Sequence, residues 1–229
     1  MFKRSGWRQA AALSAVAVAV VLSAMSIAGR PAAAHPHVWV NVETTVLYNK
    51  RDVIGFQHRW TFDDMYTAMA IQGLDKNRDG LFTREELAEL AQVNMDGLKE
   101  FGFFTVARLK GQPVKLGSPK DYWLEHKDGV LSLHFTLPLA EPISAQTDGF
   151  EFAVYDETFF IAFDLAKDNP IRLSDAPAGC TAKVGGSEKD LAELQKLNDA
   201  FGGQLTAGNA NQGTGLGYAS MIHLSCAKT

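Results

Sequence analysis

The chain has 229 residues, of which 46% are hydrophobic, and its formal net charge at pH 7 is −4. This length and composition suit one globular domain, or two small ones, with a sizeable core. The excess of acidic residues argues against nucleic acid and anionic membrane surfaces as partners.

Residues 1–34 have the organisation of a secretory signal peptide: a basic start, an apolar run over residues 10–29 and a small-residue site ending at Ala34. We predict cleavage after Ala34, export to the periplasm and a single mature domain, 35–229, that does not span the membrane. An uncleaved membrane anchor is the alternative, because the apolar run is long. Cleavage would remove four basic residues and no acid, which lowers the formal charge to −8.

Cleavage would make His35 the amino terminus and place His37 two residues later. The terminal amine and two imidazoles could then bind nickel, cobalt, zinc or copper. Pro36 has no backbone N–H, which excludes the usual square-planar amino-terminal copper/nickel motif. A strand that simply begins with two exposed histidines is the alternative interpretation.

Residues 38–60 alternate apolar and polar side chains around a polar turn, which predicts a β-hairpin. His37 and Trp39 belong to the polar face of its first strand. If His58 on the second strand shares that face, it becomes a further transition-metal ligand. Otherwise it is a hydrogen-bonded core or surface residue.

The segment 75–86, DKNRDGLFTREE, fits the twelve-residue calcium loop of EF-hands. Apolar residues at helical spacing stand on both sides of it, and Thr61 is predicted to cap the first helix, with Asp64 at its third position. We therefore expect an EF-hand-like helix-loop-helix at 61–101, inserted between the second and third strands. The predicted calcium ligands are Asp75, Asn77, Asp79, Leu81 (through its carbonyl), Thr83 and Glu86.

The remaining residues predict mainly strands. Residues 121–137 read as a hairpin around Asp128-Gly129, with His134 exposed on its polar face, and 151–165 as another strand pair around Asp156. A helix at 187–201, a glycine-rich loop at 202–217 and a last strand at 218–226 follow. Cys180 and Cys226 are predicted to form one disulfide, which is expected in an exported protein.

These elements predict an α+β fold: an antiparallel, sandwich-like body with the inserted helix-loop-helix and a C-terminal helix plus strand. The sequence contains no nucleophile elbow, no H-E-x-x-H and no cysteine–histidine nucleophile pair. We therefore predict that the protein is not an enzyme.

The motifs HPHVWV, DKNRDG, FGFFT, LHFTLPL and YDETFF, together with Cys226 in the last strand, occur in that order along the chain. In this combination the chain resembles a periplasmic family of unknown function, often described as an uncharacterised ABC-type transport system component. Its members are typically encoded beside NicO-type nickel/cobalt permeases, and zinc transport has been suggested for some. The resemblance implies a metal-handling accessory protein with a membrane permease as its partner.

The sequence supports three hypotheses for the function. The leading one is binding of a divalent transition metal for a permease by His35, His37 and, conditionally, His58, with calcium stabilising the fold. The second is a calcium-stabilised interaction module in which the histidines have no metal role. The third is a copper redox enzyme that uses a terminal-histidine chelate, and it needs a further ligand near His35.

Overall fold

The computed structural model describes residues 37–158, 160–185 and 221–227. The chain divides after Ala34 into two units, and all the described residues belong to the second. The predicted helix at 187–201 and the glycine-rich loop after it lie outside the described residues. The strands are β1 (Val38–Asn49), β2 (Asp52–Phe62), β3 (Thr105–Leu109), β4 (Gln112–Pro113), β5 (Lys120–Lys127), β6 (Val130–Ser144), β7 (Phe150–Val154), β8 (Ile161–Leu165), β9 (Ile171–Ser174), β10 (Thr181–Val184) and β11 (Ile222–Ser225).

The helices are α1 (Asp64–Ala70) and α2 (Ala88–Lys99), with a short 3-10 turn, Gly102–Phe104, before β3. Both helices lie between β2 and β3, where the sequence predicts the insertion. Helix α1 does not begin as predicted, because β2 extends to Phe62 and Asp63 is the N-cap residue. The Asp63 carboxylate accepts hydrogen bonds from the backbone N–H groups of Tyr66 and Trp39, both at 2.8 Å, and so joins the helix start to β1.

The strands form two sheets. The first has the order β5-β6-β2-β1-β8, with β9 also paired to β1, and the second has the order β10-β11-β7-β3-β4. The predicted hairpins β1–β2 and β5–β6 are present. Asp128 and Gly129 both have positive φ, as a two-residue turn between such strands requires.

The pairing predicted for residues 151–165 is wrong, since β7 lies in the second sheet and β8 in the first. Asp156 redirects the chain between them. Its buried carboxylate accepts hydrogen bonds from the Thr158 N–H (2.9 Å), the Thr158 hydroxyl (2.7 Å) and the Ile161 N–H (3.0 Å). Strand β8 pairs with β1 in parallel, and so does β9. The first sheet is therefore mixed rather than antiparallel.

The core lies on one face of the first sheet and has two parts. At one end Phe56 packs on Phe152 of the second sheet, with ring centroids 4.5 Å apart. At the other end α2 covers the sheet, with Ala91 and Met95 packed in a cluster that includes Trp60. Two sheets and two helices make this a mostly β protein consistent with the α+β class. Within the described residues, no helix has the length and apolar character needed to cross a membrane.

Candidate functional sites

The loop 75–86 lies exposed between α1 and α2, and its backbone turns back on itself. Asp75 accepts hydrogen bonds from the N–H groups of Asp79 (3.2 Å) and Gly80 (3.0 Å). Arg78 and Gly80 have φ of 60° and 80°, which gives two left-handed residues at the fourth and sixth positions. Glycine adopts this conformation without steric cost, which accounts for its place at the sharp turn.

Glu86 closes the loop from its far end. One carboxylate oxygen accepts from the Lys76 N–H at 3.1 Å, and the other accepts from the N–H and hydroxyl of Thr83, both at 3.0 Å. The bonds from Thr83, followed by those from Lys76 and Asn77, lower the pKa of Glu86. The carboxylate is therefore held in its charged form across the mouth of the loop, where a hard cation needs oxygen ligands.

The other predicted oxygen donors occupy the same loop. The Asn77 side chain donates to Asp79 at 3.0 Å, and Leu81 is exposed. No three histidine, cysteine, aspartate or glutamate side chains within the described residues converge closely enough to share a metal ion. Calcium binding by this loop would therefore also draw on amide, hydroxyl and backbone oxygens, which calcium accepts.

The loop is connected to the first sheet through a stack of side chains that the sequence did not predict. The Arg84 guanidinium lies 3.8 Å from the centre of the Trp123 ring on β5. On the other side, Trp123 and His134 stack with centroids 3.9 Å apart and planes within 4°. His134 was predicted to be exposed, but this stack and Glu125, 3.5 Å from its Nε2, half-bury it. A change in the loop would alter the surroundings of Trp123.

His37 is exposed immediately before β1. Its backbone N–H donates to the Phe160 carbonyl at 2.9 Å, and its ring lies 4.8 Å from the Phe160 ring. His35 lies outside the described residues. Of the two histidines predicted to form the terminal site, the structure therefore describes His37, whose backbone is held beside the start of β1.

His58 does not share the face of His37 and Trp39. It pairs with Thr44, so it points to the buried face with Val40 and Val42, and it is 1% exposed. Aromatic rings surround it, including those of Phe56, Trp60 and Phe135. The condition under which His58 was predicted to join the terminal histidines is not met.

The hydrogen bonds of His58 explain its burial. Its Nδ1 is 2.9 Å from the Thr44 hydroxyl and its Nε2 is 3.5 Å from that of Thr105. Thr105 donates its hydroxyl proton to the Phe103 carbonyl at 2.9 Å, so Nε2 carries the ring proton and Nδ1 accepts from Thr44. Burial lowers the pKa of His58 to about 3, so the ring is neutral at physiological pH.

The described fold defines a two-sheet α+β protein that carries a helix-flanked acidic loop and a histidine immediately before β1, an interior strand of the first sheet. Residues 19–226 match the model of the family described as a protein of unknown function, DUF1007, and the chain belongs to that family.

Two proteins that are similar to the chain are described as uncharacterised. A protein of Haemophilus influenzae is 24% identical over 197 residues, which cover 84% of this chain and 91% of the relative. A 15.5 kDa protein of Spirochaeta aurantia, described by its position in the trpE 3′ region, is 31% identical over 105 residues. That match covers 46% of this chain and 74% of the relative.

Proposed function

We propose that the mature protein is a periplasmic accessory protein that binds a divalent transition metal at its amino terminus and delivers it to, or receives it from, a membrane metal permease. Nickel, cobalt, zinc and copper are all suited to its imidazole ligands. The protein acts as a carrier rather than an enzyme. The position of His37 carries this proposal: it is exposed, anchored to Phe160, and two residues after the predicted new terminus.

The proposed site consists of the terminal amine, His35 and His37. A terminus two residues before His37 cannot lie more than about 7 Å from it, the reach of two extended residues. The covalent chain therefore keeps the three nitrogen ligands within reach of one metal ion, and the exposure of His37 would allow a permease to exchange it. His58 takes no part in this site, because it is enclosed by aromatic rings on the opposite face of the sheet.

The proposal is tested with exported protein processed to His35, beside a version that carries one extra glycine before His35. Elemental analysis and competitive titration should show one equivalent of transition metal bound by the first protein. The extra residue and His37→Ala should each weaken binding about tenfold or more, equivalent to about 1.4 kcal/mol. His223→Gln, which changes a histidine in the second sheet, is the matched control and should bind as the wild type does.

The second candidate is a calcium-stabilised interaction module with no transition-metal role. The burial of His58 favours this candidate, because it leaves the terminal site with one fewer histidine ligand. If the processed protein binds calcium but no transition metal, this candidate replaces the first.

Under both candidates, calcium in the loop 75–86 stabilises the fold. A calcium concentration about 100 times its dissociation constant should raise the free energy of unfolding by about 2.7 kcal/mol. Asp75→Ala should abolish this increment, because Asp75 is the first ligand and also organises the turn at Gly80. Calorimetry with and without a chelator measures the effect, and a change in tryptophan fluorescence that Trp123→Phe abolishes reports binding through Arg84.

Asp168→Ala is the matched control, because Asp168 is an exposed acid remote in sequence from the loop. It should keep the full calcium increment. Transition-metal affinity should be nearly unchanged in Asp75→Ala, since the terminal site uses other ligands. Equal loss of both metals in Asp75→Ala would contradict this division of roles.

A further inference from the structure

A groove of about 520 Å³ lies beside α2. We call it the α2 groove. Its walls and floor include Tyr66, Val93, Phe101, Phe104, Phe160 and Ile161, which come from α1, α2, the 3-10 turn and the entry to β8.

Three of these apolar side chains are unusually open to solvent. Val93 is 61% exposed, Phe101 is 58% and Phe160 is 49%. Exposed apolar side chains clustered around a concave surface are typical of a binding site rather than of ordinary surface.

The polar groups in the groove are already paired. The Tyr66 hydroxyl donates to Asn94 at 3.3 Å, and the Asn94 amide donates to the Leu90 carbonyl at 2.9 Å. The Asp156 carboxylate accepts the three bonds that turn the chain towards β8. The groove therefore offers few unsatisfied groups to a small polar ligand, and its interior is suited to an apolar one.

Two exposed acids lie beside the groove. A second hollow shares Phe101 and Phe104 with it and is lined by the exposed acids Glu100 and Glu157. No lysine or arginine is among the described residues that line either hollow. A ligand that filled the groove and carried positive charge would gain both apolar burial and electrostatic attraction.

We propose that the α2 groove binds a polypeptide segment in which a bulky apolar side chain is flanked by lysine or arginine. The apolar side chain occupies the space between Val93, Phe101 and Phe160, and the flanking cations lie at Glu100 and Glu157. The proposal needs no bound metal and is compatible with both candidate functions, although Phe160 in the groove wall also contacts His37 of the proposed terminal site.

The test uses the mature protein and a short acetylated peptide that contains Leu-Phe between two Lys-Lys pairs. Calorimetric titration should detect binding, and the counterpart peptide with glutamate in place of each lysine should bind about tenfold more weakly. Raising NaCl from about 0.05 M to about 0.5 M should weaken binding of the lysine peptide several-fold, because the acids at the rim are exposed to screening.

Phe101→Ser and Val93→Ser should each weaken peptide binding about tenfold. Two separate variants are used so that the test still works if one of them fails to fold. Val184→Ser is the matched control, since Val184 is also half-exposed but lies in β10 of the second sheet. It should change binding less than twofold.

Three outcomes would overturn the proposal. They are equal binding of the lysine and glutamate peptides, unchanged binding in both groove variants, and no detectable peptide binding. Sedimentation of the peptide-free protein adds one further outcome. Self-association that Val93→Ser abolishes would assign the groove to a second copy of this chain instead.

Discussion

The stability of this protein should fall as the pH decreases from 6.5 to about 3, and His58 should account for much of the fall. In the unfolded chain His58 takes up a proton near its ordinary pKa of 6.5, whereas in the folded protein burial lowers that pKa to about 3. The unfolded state therefore binds more protons between pH 6.5 and pH 3, and the free energy of unfolding falls by up to about 1.4 kcal/mol per pH unit. The loss attributable to His58 totals about 4–5 kcal/mol at pH 3 and is absent above pH 6.5.

His58→Phe provides the comparison. At pH 7 the variant should be less stable than the wild type by about 1–3 kcal/mol, because the Thr44 hydroxyl loses its buried partner. Thr105 keeps its bond to the Phe103 carbonyl. Urea unfolding between pH 4 and pH 7 measures both proteins, and the difference between them should shrink and then reverse as the pH falls.

Thr44→Val is the control for His58→Phe, because it removes the hydrogen bond to Nδ1 but leaves the histidine buried among the same rings. It should keep most of the pH dependence of the wild type, since burial is what lowers the pKa of His58. If wild type and His58→Phe lose stability in parallel from pH 7 to pH 4, the buried histidine is protonated in the folded protein, and this account of His58 is wrong.

Removal of the disulfide between Cys180 and Cys226 should have an effect of similar size. The two cysteines are 46 positions apart and are brought together by the antiparallel pairing of β10 with β11. Closing a loop of this length reduces the entropy of the unfolded chain, which contributes about 4 kcal/mol to stability in the chain-entropy model. Cys180→Ser/Cys226→Ser should lower the free energy of unfolding by about 3–4 kcal/mol.

Reducing agent supplies the internal control for this prediction. It should destabilise the wild type to the level of the double variant and leave the double variant unchanged. Cys180→Ala/Cys226→Ala separates loss of the cross-link from the cost of placing two serine hydroxyls beside the part of the core that contains Phe56 and Phe152. A loss below about 1 kcal/mol in the alanine variant would show that the pairing of β10 with β11 holds this region without the bridge.

The sequence predicts local elements of this fold well, because their signals are local. Asp128-Gly129 specifies its turn through two residues with positive φ. The residues at 75–86 specify an acidic loop through spacing alone, and the apolar spacing on either side predicts helices. The cysteine pair also needs no structural information, since a single disulfide has only one connectivity.

Features that depend on the arrangement of distant segments were not predictable in this way. Alternation shows that His58 lies on a face, but only the pairing register with Thr44 shows that this face is the buried one. A tight turn at Asp156 is visible in the sequence, whereas the passage of the chain from one sheet to the other is not. The α2 groove likewise combines Tyr66, Phe101 and Phe160, which no local pattern connects.

The position of β1 has a consequence for how the chain folds after synthesis. One edge of β1 can pair with β2 as soon as this next strand is made. The other edge stays unpaired until β8 and β9 are made, and there Val38 pairs with Ile161 and Thr44 with Ile171. Contacts of such long sequence separation form slowly. In the interval, the early hairpin presents an unpaired strand edge to which another chain could add. The interval between synthesis of β2 and docking of β8 is therefore the period of greatest aggregation risk, and a chain truncated before Ile161 would remain in that exposed state.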